Sequence, residues 1–164
     1  MTKRDRTIVA LRDHGIVNPI WTYDEAKAAL LPLSLAAALL DQESGGGRNV
    51  FGHDPTIFIG AGTVTRWSYA RYKLRRRLSG NRLMQGVGPV QLTWWAKQDR
   101  ADSLGGCWAP RCNMRVGFED LAANIRRDGL HAGIAAYNGS GAAAQRYADS
   151  VLHRARYWKA VLPK

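Results

Sequence analysis

The sequence is poor in cysteine, in glutamate and in long apolar runs, and each shortage excludes a class of protein. Only two cysteines occur, Cys107 and Cys112. No histidine and no third cysteine lies between residues 105 and 128, so a four-ligand zinc site is not expected there. We expect two free thiols, with a short-loop disulfide as the alternative in an oxidising compartment.

The longest apolar stretch, residues 28–40, is interrupted by Pro32 and Ser34 and is too short to cross a bilayer. The first residues lead into mixed polar and apolar sequence, so no secretion signal is expected. The chain has 164 residues, of which 46% are hydrophobic. This length predicts a single domain, residues 1–164, with a core of its own.

Acidic side chains are outnumbered by basic ones, 13 to 24, which gives a net charge of +11. The excess is densest in residues 66–82, where seven basic residues fall within seventeen positions. Such a surface favours polyanionic partners. Charge alone does not choose among nucleic acid, an anionic membrane and an acidic cell wall.

Helical spacing dominates the sequence, so we predict an α+β fold that is predominantly α-helical. Residues 33–41 are apolar on nearly every side and predict a central helix buried all round. Pro32 should interrupt the helix that precedes it. Thr22 and Glu25 have the spacing of a capping box, which predicts a helix start at Thr22 and a structural role for Glu25.

The remaining pattern adds a small β element and further helices. β-forming residues between 49 and 65, bounded by glycines, predict an irregular sheet or long loops. Helical periodicity predicts helices in residues 6–14, 93–102 and 113–128, and a last helix with Tyr147 and Val151 on its inner face. In the basic segment the same periodicity predicts an inner face made of Trp67, Ala70, Leu74 and Leu78.

Glu43 is the most informative of the three glutamates. It stands between the apolar residues 33–40 and the glycines 45–47. A carboxyl group at the end of a buried helix is partly withdrawn from water, which raises its pKa toward the range that a general acid needs. The alternative is a polar residue that merely ends a helix.

Three separated motifs combine glycines with fixed polar groups. They are Glu43-Ser44-Gly45, Gly88-Pro89-Val90-Gln91 and Ala136-Tyr137-Asn138-Gly139. Glycine lets the backbone approach a ligand closely. Gln91 offers both a donor and an acceptor to an acetamido group, and Tyr137 and Asn138 are candidates to hold Glu43 or such a group.

In this order and spacing, the three motifs resemble those of the lysozyme-like superfamily, nearest the goose-type lysozymes, lytic transglycosylases and phage endolysins. The resemblance covers roughly residues 22–160. It implies a lysozyme-like fold and cleavage of the β-1,4 bond between N-acetylmuramic acid and N-acetylglucosamine in peptidoglycan. Glu43 would be the general acid, and His53, Gln91, Thr93, Tyr137 and Asn138 would bind substrate.

Asp54 is the candidate for a second catalytic carboxylate, since it follows Glu43 by eleven residues. It would activate water or stabilise the oxocarbenium-like centre; the alternative is a turn residue before Pro55. If Asp54 is remote, the route of the lytic transglycosylases is favoured, in which a substrate hydroxyl attacks. The segment around Gln91 also resembles that of plant-type chitinases, which use a second glutamate soon after the first. No glutamate lies between Glu43 and Glu119, and this argues against the same function.

Neither a metal nor an organic cofactor is expected, because protonating a leaving oxygen needs only a tuned carboxyl group. His53 lacks a second ligand at metal spacing and is interpreted as a loop histidine. Of the adjacent Trp94 and Trp95, at most one is expected to reach a ligand, since neighbours on a helix point in different directions.

The expected partners are peptidoglycan strands and the anionic cell-wall surface, with no specific nucleic acid and no transmembrane segment. We expect a monomeric phage lysin that stays in the host cytoplasm until lysis and then reaches the wall. Two other classes are alternatives: a non-catalytic wall-binding module, and a basic nucleic-acid-binding protein with residues 66–82 as its footprint.

Overall fold

The computed structural model describes residues 1–53 and 60–164, and these are predominantly α-helical, as predicted. Within the described ranges, no helix is both long enough and apolar enough to span a bilayer. The helices are α1 (Lys3–Asp13), α2 (Pro19–Ala28), α3 (Leu33–Ser44), α4 (Arg66–Leu78), α5 (Trp95–Ser103), α6 (Pro110–Asp128), α7 (Leu130–Asn138) and α8 (Gly141–Val161).

The helix α3 is the centre of the core, which confirms the prediction from its apolar sequence. Every residue from 35 to 40 is buried, because apolar side chains on all sides of the helix find partners in neighbouring helices. Pro32 precedes its first turn, as expected. The main partner of α3 is α8, whose buried face includes the small residues Ala144, Ala148 and Ala155.

The capping box predicted at Thr22 is wrong. The helix α2 begins at Pro19, and Thr22 lies inside it, where its hydroxyl donates to the carbonyl of Asn18 at 2.9 Å. Pro19 was the stronger start signal, because proline at the first helical position loses no intrahelical hydrogen bond. Capping boxes are present instead at the start of α1, on Thr2, and at the start of α4, on Thr65.

Glu25 does have a structural role, but a different one. It is 1% exposed, and its two carboxylate oxygens accept from Arg111 Nε at 2.6 Å and from Arg115 Nε at 2.9 Å. Two guanidinium groups of α6 thus neutralise one buried carboxylate of α2. The ion pairs join these two helices.

The inner face predicted for α4 is also wrong. Trp67, Leu74 and Leu78 are 81%, 60% and 79% exposed, and Ala70 is exposed as well. The helix is rotated by half a turn relative to the prediction, because polar and amphipathic side chains on its other face find hydrogen-bond partners on α5 and beside it. The buried residues of α4 are Tyr69, Tyr72 and Arg76.

Among the described residues, the β element consists of three isolated antiparallel bridges: Val50 to Thr63, Phe51 to Val87, and Val87 to Leu92. The first joins the segment after α3 to the residues before α4, the second joins that segment to the loop before α5, and the third lies within this loop. The predicted strand residues 56–59 lie outside the described residues. Cys107 and Cys112 are both free thiols.

Candidate active site

The carboxyl group of Glu43 lies at the end of α3, where backbone geometry fixes it. Gly45 takes a left-handed conformation, φ 60°, and ends the helix. Gly46 continues with φ 98°, and a β-carbon there would lie 2.3 Å from the carbonyl oxygen of Gly15, so only glycine fits. Ser44 donates its hydroxyl to the carbonyl of Pro89 at 2.6 Å, which ties the helix end to the second motif.

A cleft of about 530 Å³ opens beside Glu43. All three sequence motifs contribute to its wall, so residues far apart in the chain meet there. Asp54 lies outside the described residues, and every other sequence-predicted site residue lines the cleft. These are Glu43, His53, Gln91, Thr93, Tyr137 and Asn138, and they are joined by Gln85, Trp94 and Lys97.

Glu43 is half-buried, and its environment favours the protonated form. Burial raises its pKa from 4.5 to about 7, although a hydrogen bond from the Tyr147 hydroxyl to Oε1 acts in the opposite direction. Among the described residues, no cationic group forms an ion pair with it. A carboxyl group with this pKa is substantially protonated near neutral pH and can donate its proton.

The tyrosine that holds Glu43 is Tyr147 of α8. The Tyr137 hydroxyl instead donates to the carbonyl of Val90 at 2.8 Å. The pKa of Tyr137 is raised well above its ordinary value, by burial first and then by the nearby charge of Glu43. Tyr137 therefore braces the wall of the cleft, while Tyr147 orients the carboxyl group.

The sequence shows Tyr147 only as one member of the inner face of α8. A signal was nevertheless present, because a tyrosine on a buried face needs a partner for its hydroxyl. Which acceptor it finds depends on how α8 lies on α3, and the spacing of residues along one helix does not show this.

Gln91 is held in a fixed orientation in the cleft wall. Its backbone has a positive φ of 51°, and its side-chain nitrogen donates to the carbonyls of Val50 at 3.0 Å and Gly88 at 2.8 Å. Since both amide hydrogens are used, only the oxygen Oε1 remains to bind a ligand. Gln91 can thus act as an acceptor, and the donor role expected from the sequence is taken by internal bonds.

The rim of the cleft carries exposed polar and aromatic side chains. Thr93 and Asn138 are exposed, and so is His53. Trp94 is 54% exposed and lines the cleft, whereas Trp95 is not part of its lining. An accessible indole beside hydroxyl and amide groups is suited to an amphipathic ligand with one apolar face.

Lys97 is a cleft residue that the sequence did not single out. Its ammonium group pairs with Asp120 at 2.6 Å and lies 5.6 Å from the centre of the Tyr137 ring. Gln85 was missed as well; it is buried and bonds to the backbone of Gly60 through both ends of its amide. Both lie on elements whose relative position only the folded chain defines.

Within residues 1–53 and 60–164, Glu43 is the only carboxylate that lines the cleft. Asp41, on the same helix, instead accepts from Trp158 Nε1 at 2.6 Å. The same residues contain no cluster of three or more histidine, cysteine, aspartate or glutamate side chains that could hold a metal ion. Among the described lining residues, Glu43 is therefore the group that can act as a carboxylic acid.

The cleft beside Glu43 combines four features. Its parts are a protonatable glutamic acid, an acceptor amide, a rim of polar groups and an accessible indole. No protein-family model, curated protein or solved structure matches this chain.

Proposed function

We propose that this protein is a peptidoglycan-degrading muramidase with a lysozyme-like fold and with Glu43 as its general acid. The observation that carries the proposal is the half-buried carboxyl group of Glu43, with a pKa of about 7, in a cleft of about 530 Å³. It has no ion pair with any residue of the described ranges. A glutamic acid tuned by an apolar setting is the acid of lysozyme itself.

The polar lining supports a polysaccharide substrate. Gln91 presents only an acceptor oxygen, which suits the N–H of an acetamido group. Asn138 and Thr93 line the same cleft with groups that match sugar hydroxyls, and Trp94 offers a face for the apolar side of a pyranose ring. These roles rest on the cleft geometry together with the sequence resemblance.

In the proposed reaction, Glu43 donates its proton to the glycosidic oxygen as the bond from that oxygen to the anomeric carbon breaks. The leaving sugar departs as an alcohol, and the remaining ring has oxocarbenium character. Where a substrate hydroxyl attacks, the Glu43 carboxylate then accepts its proton, which restores the acid. Where Asp54 activates water, Asp54 accepts that proton and Glu43 is reprotonated from solvent. Tyr147 keeps the carboxyl group oriented during both proton transfers.

The attacking hydroxyl group distinguishes two versions of the proposal. Water gives hydrolysis, and Asp54 is the candidate to activate it. The C6 hydroxyl of the muramic acid ring gives a 1,6-anhydro product and needs no second carboxylate. Because Glu43 is the only carboxylate lining the described part of the cleft, the second version, a lytic transglycosylase, remains a candidate.

The net charge of +11 supports an acidic target, since a basic surface is attracted to polyanions. The proposed partners are the glycan strands and the anionic wall that carries them. The proposed location is the host cytoplasm before lysis and the cell wall afterwards.

The first test is Glu43→Gln, which keeps the shape of the side chain and removes its proton. Loss of turbidity of a cell-wall suspension should slow by about 10²–10⁴-fold, the usual contribution of a general acid. The matched control is Glu119→Gln, which alters a partly exposed glutamate on α6 paired with Arg100. A chain with that change should lyse walls at the normal rate.

Mass spectrometry of the released fragments then identifies the attacking group. A reducing muramic acid end indicates water, and a 1,6-anhydro end indicates the substrate hydroxyl. An unchanged lysis rate for Glu43→Gln would remove Glu43 from the mechanism. If the natural chain binds cell walls but releases no fragments, the protein is a wall-binding module and not an enzyme.

A further inference from the structure

The outer face of α4 is an apolar ridge in contact with water. Trp67, Leu74 and Leu78 are 81%, 60% and 79% exposed. At ~100° per residue, these three side chains fall within an arc of about 40° on the helix surface. Their spacing produces the helical periodicity that indicates a buried face, yet the ridge is on the outside.

The register of α4 is fixed by its opposite face. The Tyr69 hydroxyl donates to Asp102 at 3.0 Å. Arg76, whose side chain is fully buried, donates to Asp99 at 2.5 Å. Turning the ridge inward would break these bonds, so the fold itself does not bury Trp67 or the two leucines.

The basic side chains of α4 differ between its inner and outer sides. The segment contains no acidic residue. On its inner side, Arg76 and Lys73 are paired with Asp99 and Asp102 at 2.5 Å each. The exposed arginines flank the ridge on both sides: Arg71 and Arg75 on one, Arg66 and Arg77 on the other.

We propose that α4 docks on an anionic phospholipid bilayer, with the ridge inserted among the lipid chains and the flanking arginines at the headgroups. An apolar stripe bordered by cationic side chains is the pattern of a helix that lies in the membrane interface. Its 13 residues make a helix of about 20 Å, so it lies on the membrane and does not cross it.

A bilayer fits the ridge better than a water-soluble polyanion does. Nucleic acid or an acidic wall polymer would be satisfied by the arginines alone and would leave Trp67, Leu74 and Leu78 in water. Lipid uses both features, since each arginine meets a headgroup charge and each apolar side chain leaves water. The surface uses no residue of the Glu43 cleft, so it is independent of the proposed catalytic function.

The test is sedimentation of the full chain with vesicles of phosphatidylglycerol and phosphatidylcholine, compared with vesicles of phosphatidylcholine alone. Binding is expected only where the anionic lipid is present. The variant Trp67→Ser/Leu74→Gln/Leu78→Gln should bind at least about tenfold more weakly. Because all three positions are exposed, its thermal unfolding should match that of the natural chain.

Two further variants define which feature acts. Leu30→Gln/Leu130→Gln changes exposed leucines outside α4, 83% and 48% exposed, and should leave vesicle binding unchanged. Arg71→Gln/Arg77→Gln should weaken it by about fivefold per arginine. The Glu43→Gln variant should bind vesicles as the natural chain does, even if the lytic activity is lost or was never present.

Equal binding to neutral and anionic vesicles, or binding that is unaffected by the triple variant, would overturn the proposal. So would binding to heparin or DNA that depends on the two arginines but not on the ridge, with no vesicle binding. The last result would show that α4 binds a water-soluble polyanion and not a membrane.

Discussion

Glu25 and Glu43 are both withdrawn from water, but their surroundings differ in charge. Glu25 lies between two arginines of α6, which donate to both of its oxygens. The partner of Glu43 is the neutral hydroxyl of Tyr147. The first arrangement stabilises a carboxylate and joins two helices, whereas the second leaves a carboxylic acid facing a cleft.

The difference shows that burial alone does not define a catalytic acid. A buried carboxyl group with cationic partners, such as Glu25, forms ion pairs that join elements of the fold. One without such partners becomes a proton donor, and the charged form costs free energy whenever the pH is high enough to ionise it. In this chain, the charge of the partner separates the structural Glu25 from Glu43, the proposed catalytic acid.

The largest effects on stability are expected when Glu25 and Glu43 are each replaced by glutamine at pH 8. The two replacements should change the free energy of unfolding in opposite directions. Glu43→Gln should raise the free energy of unfolding by about 2 kcal/mol. The rise in the pKa of Glu43 from 4.5 to about 7 corresponds to roughly 3 kcal/mol, and the remaining contact of the Glu43 side chain with water reduces this value. Glu25→Gln should lower it by about 1–3 kcal/mol. Urea unfolding measures both.

The sign for Glu43 follows from its raised pKa. Between pH 4.5 and about 7 the folded chain holds this proton and the unfolded chain does not, so Glu43 makes stability fall as pH rises through that window. Below pH 4.5 both states are protonated, and Glu43→Gln should then match the natural chain. A gain in stability that persists at about pH 4 would show that the glutamine acts in some other way.

A smaller effect than these changes in stability is expected when Tyr147, the hydrogen-bond partner of Glu43, is replaced and the pH dependence of lysis is measured. The proposed activity needs the protonated form of Glu43, so the rate of lysis should fall on an alkaline limb centred near pH 7. Tyr147→Phe removes the hydrogen bond that lowers the pKa of Glu43 and should move the limb to higher pH, by about one unit or less. Rates measured from about pH 5 to about pH 9 test this.

The matched control for that limb is Tyr157→Phe. Tyr157 lies on the same helix as Tyr147, is 49% exposed and bonds to His14 at 2.7 Å. It has no contact with Glu43 among the described hydrogen bonds, so its replacement should leave the midpoint in place. If both phenylalanine variants shift the limb equally, the hydrogen bond to Glu43 is not the cause.

The smallest effect is expected at the third glutamate. Glu119 pairs with Arg100 on the surface, where the two side chains are 35% and 53% exposed. An exposed ion pair contributes little, so Glu119→Gln should change the free energy of unfolding by about 0.5 kcal/mol or less. A larger loss in urea unfolding would show that partial exposure is enough to make a glutamate structural in this chain.

The sequence predicted the centre of the fold well. An apolar run that follows Pro32 and ends in glycines has few alternatives to a buried helix, and α3 is that helix. Residues of the three sequence motifs also meet in the folded chain, because Glu43, Gln91 and Tyr137 all line one cleft.

The errors arose where one pattern fits two environments. The spacing of Trp67, Leu74 and Leu78 indicates an apolar face but not what covers it, and a hydrogen-bonded network on the other side of α4 decided its rotation. Thr22 and Glu25 fit a capping box equally well inside a helix, where Thr22 bonds to the preceding turn. Periodicity is a property of one helix, whereas orientation depends on its neighbours.

The packing of α8 on α3 has a consequence for Glu43. The buried residues of α8 on either side of Tyr147 are the small Ala144 and Ala148, and small side chains let a helix approach its neighbours closely. The distance between α3 and α8 thereby controls the hydrogen bond from Tyr147 to Glu43, which partly offsets the rise in pKa that burial causes. A bulkier side chain at either alanine would act as a spacer and would weaken this hydrogen bond without touching the cleft.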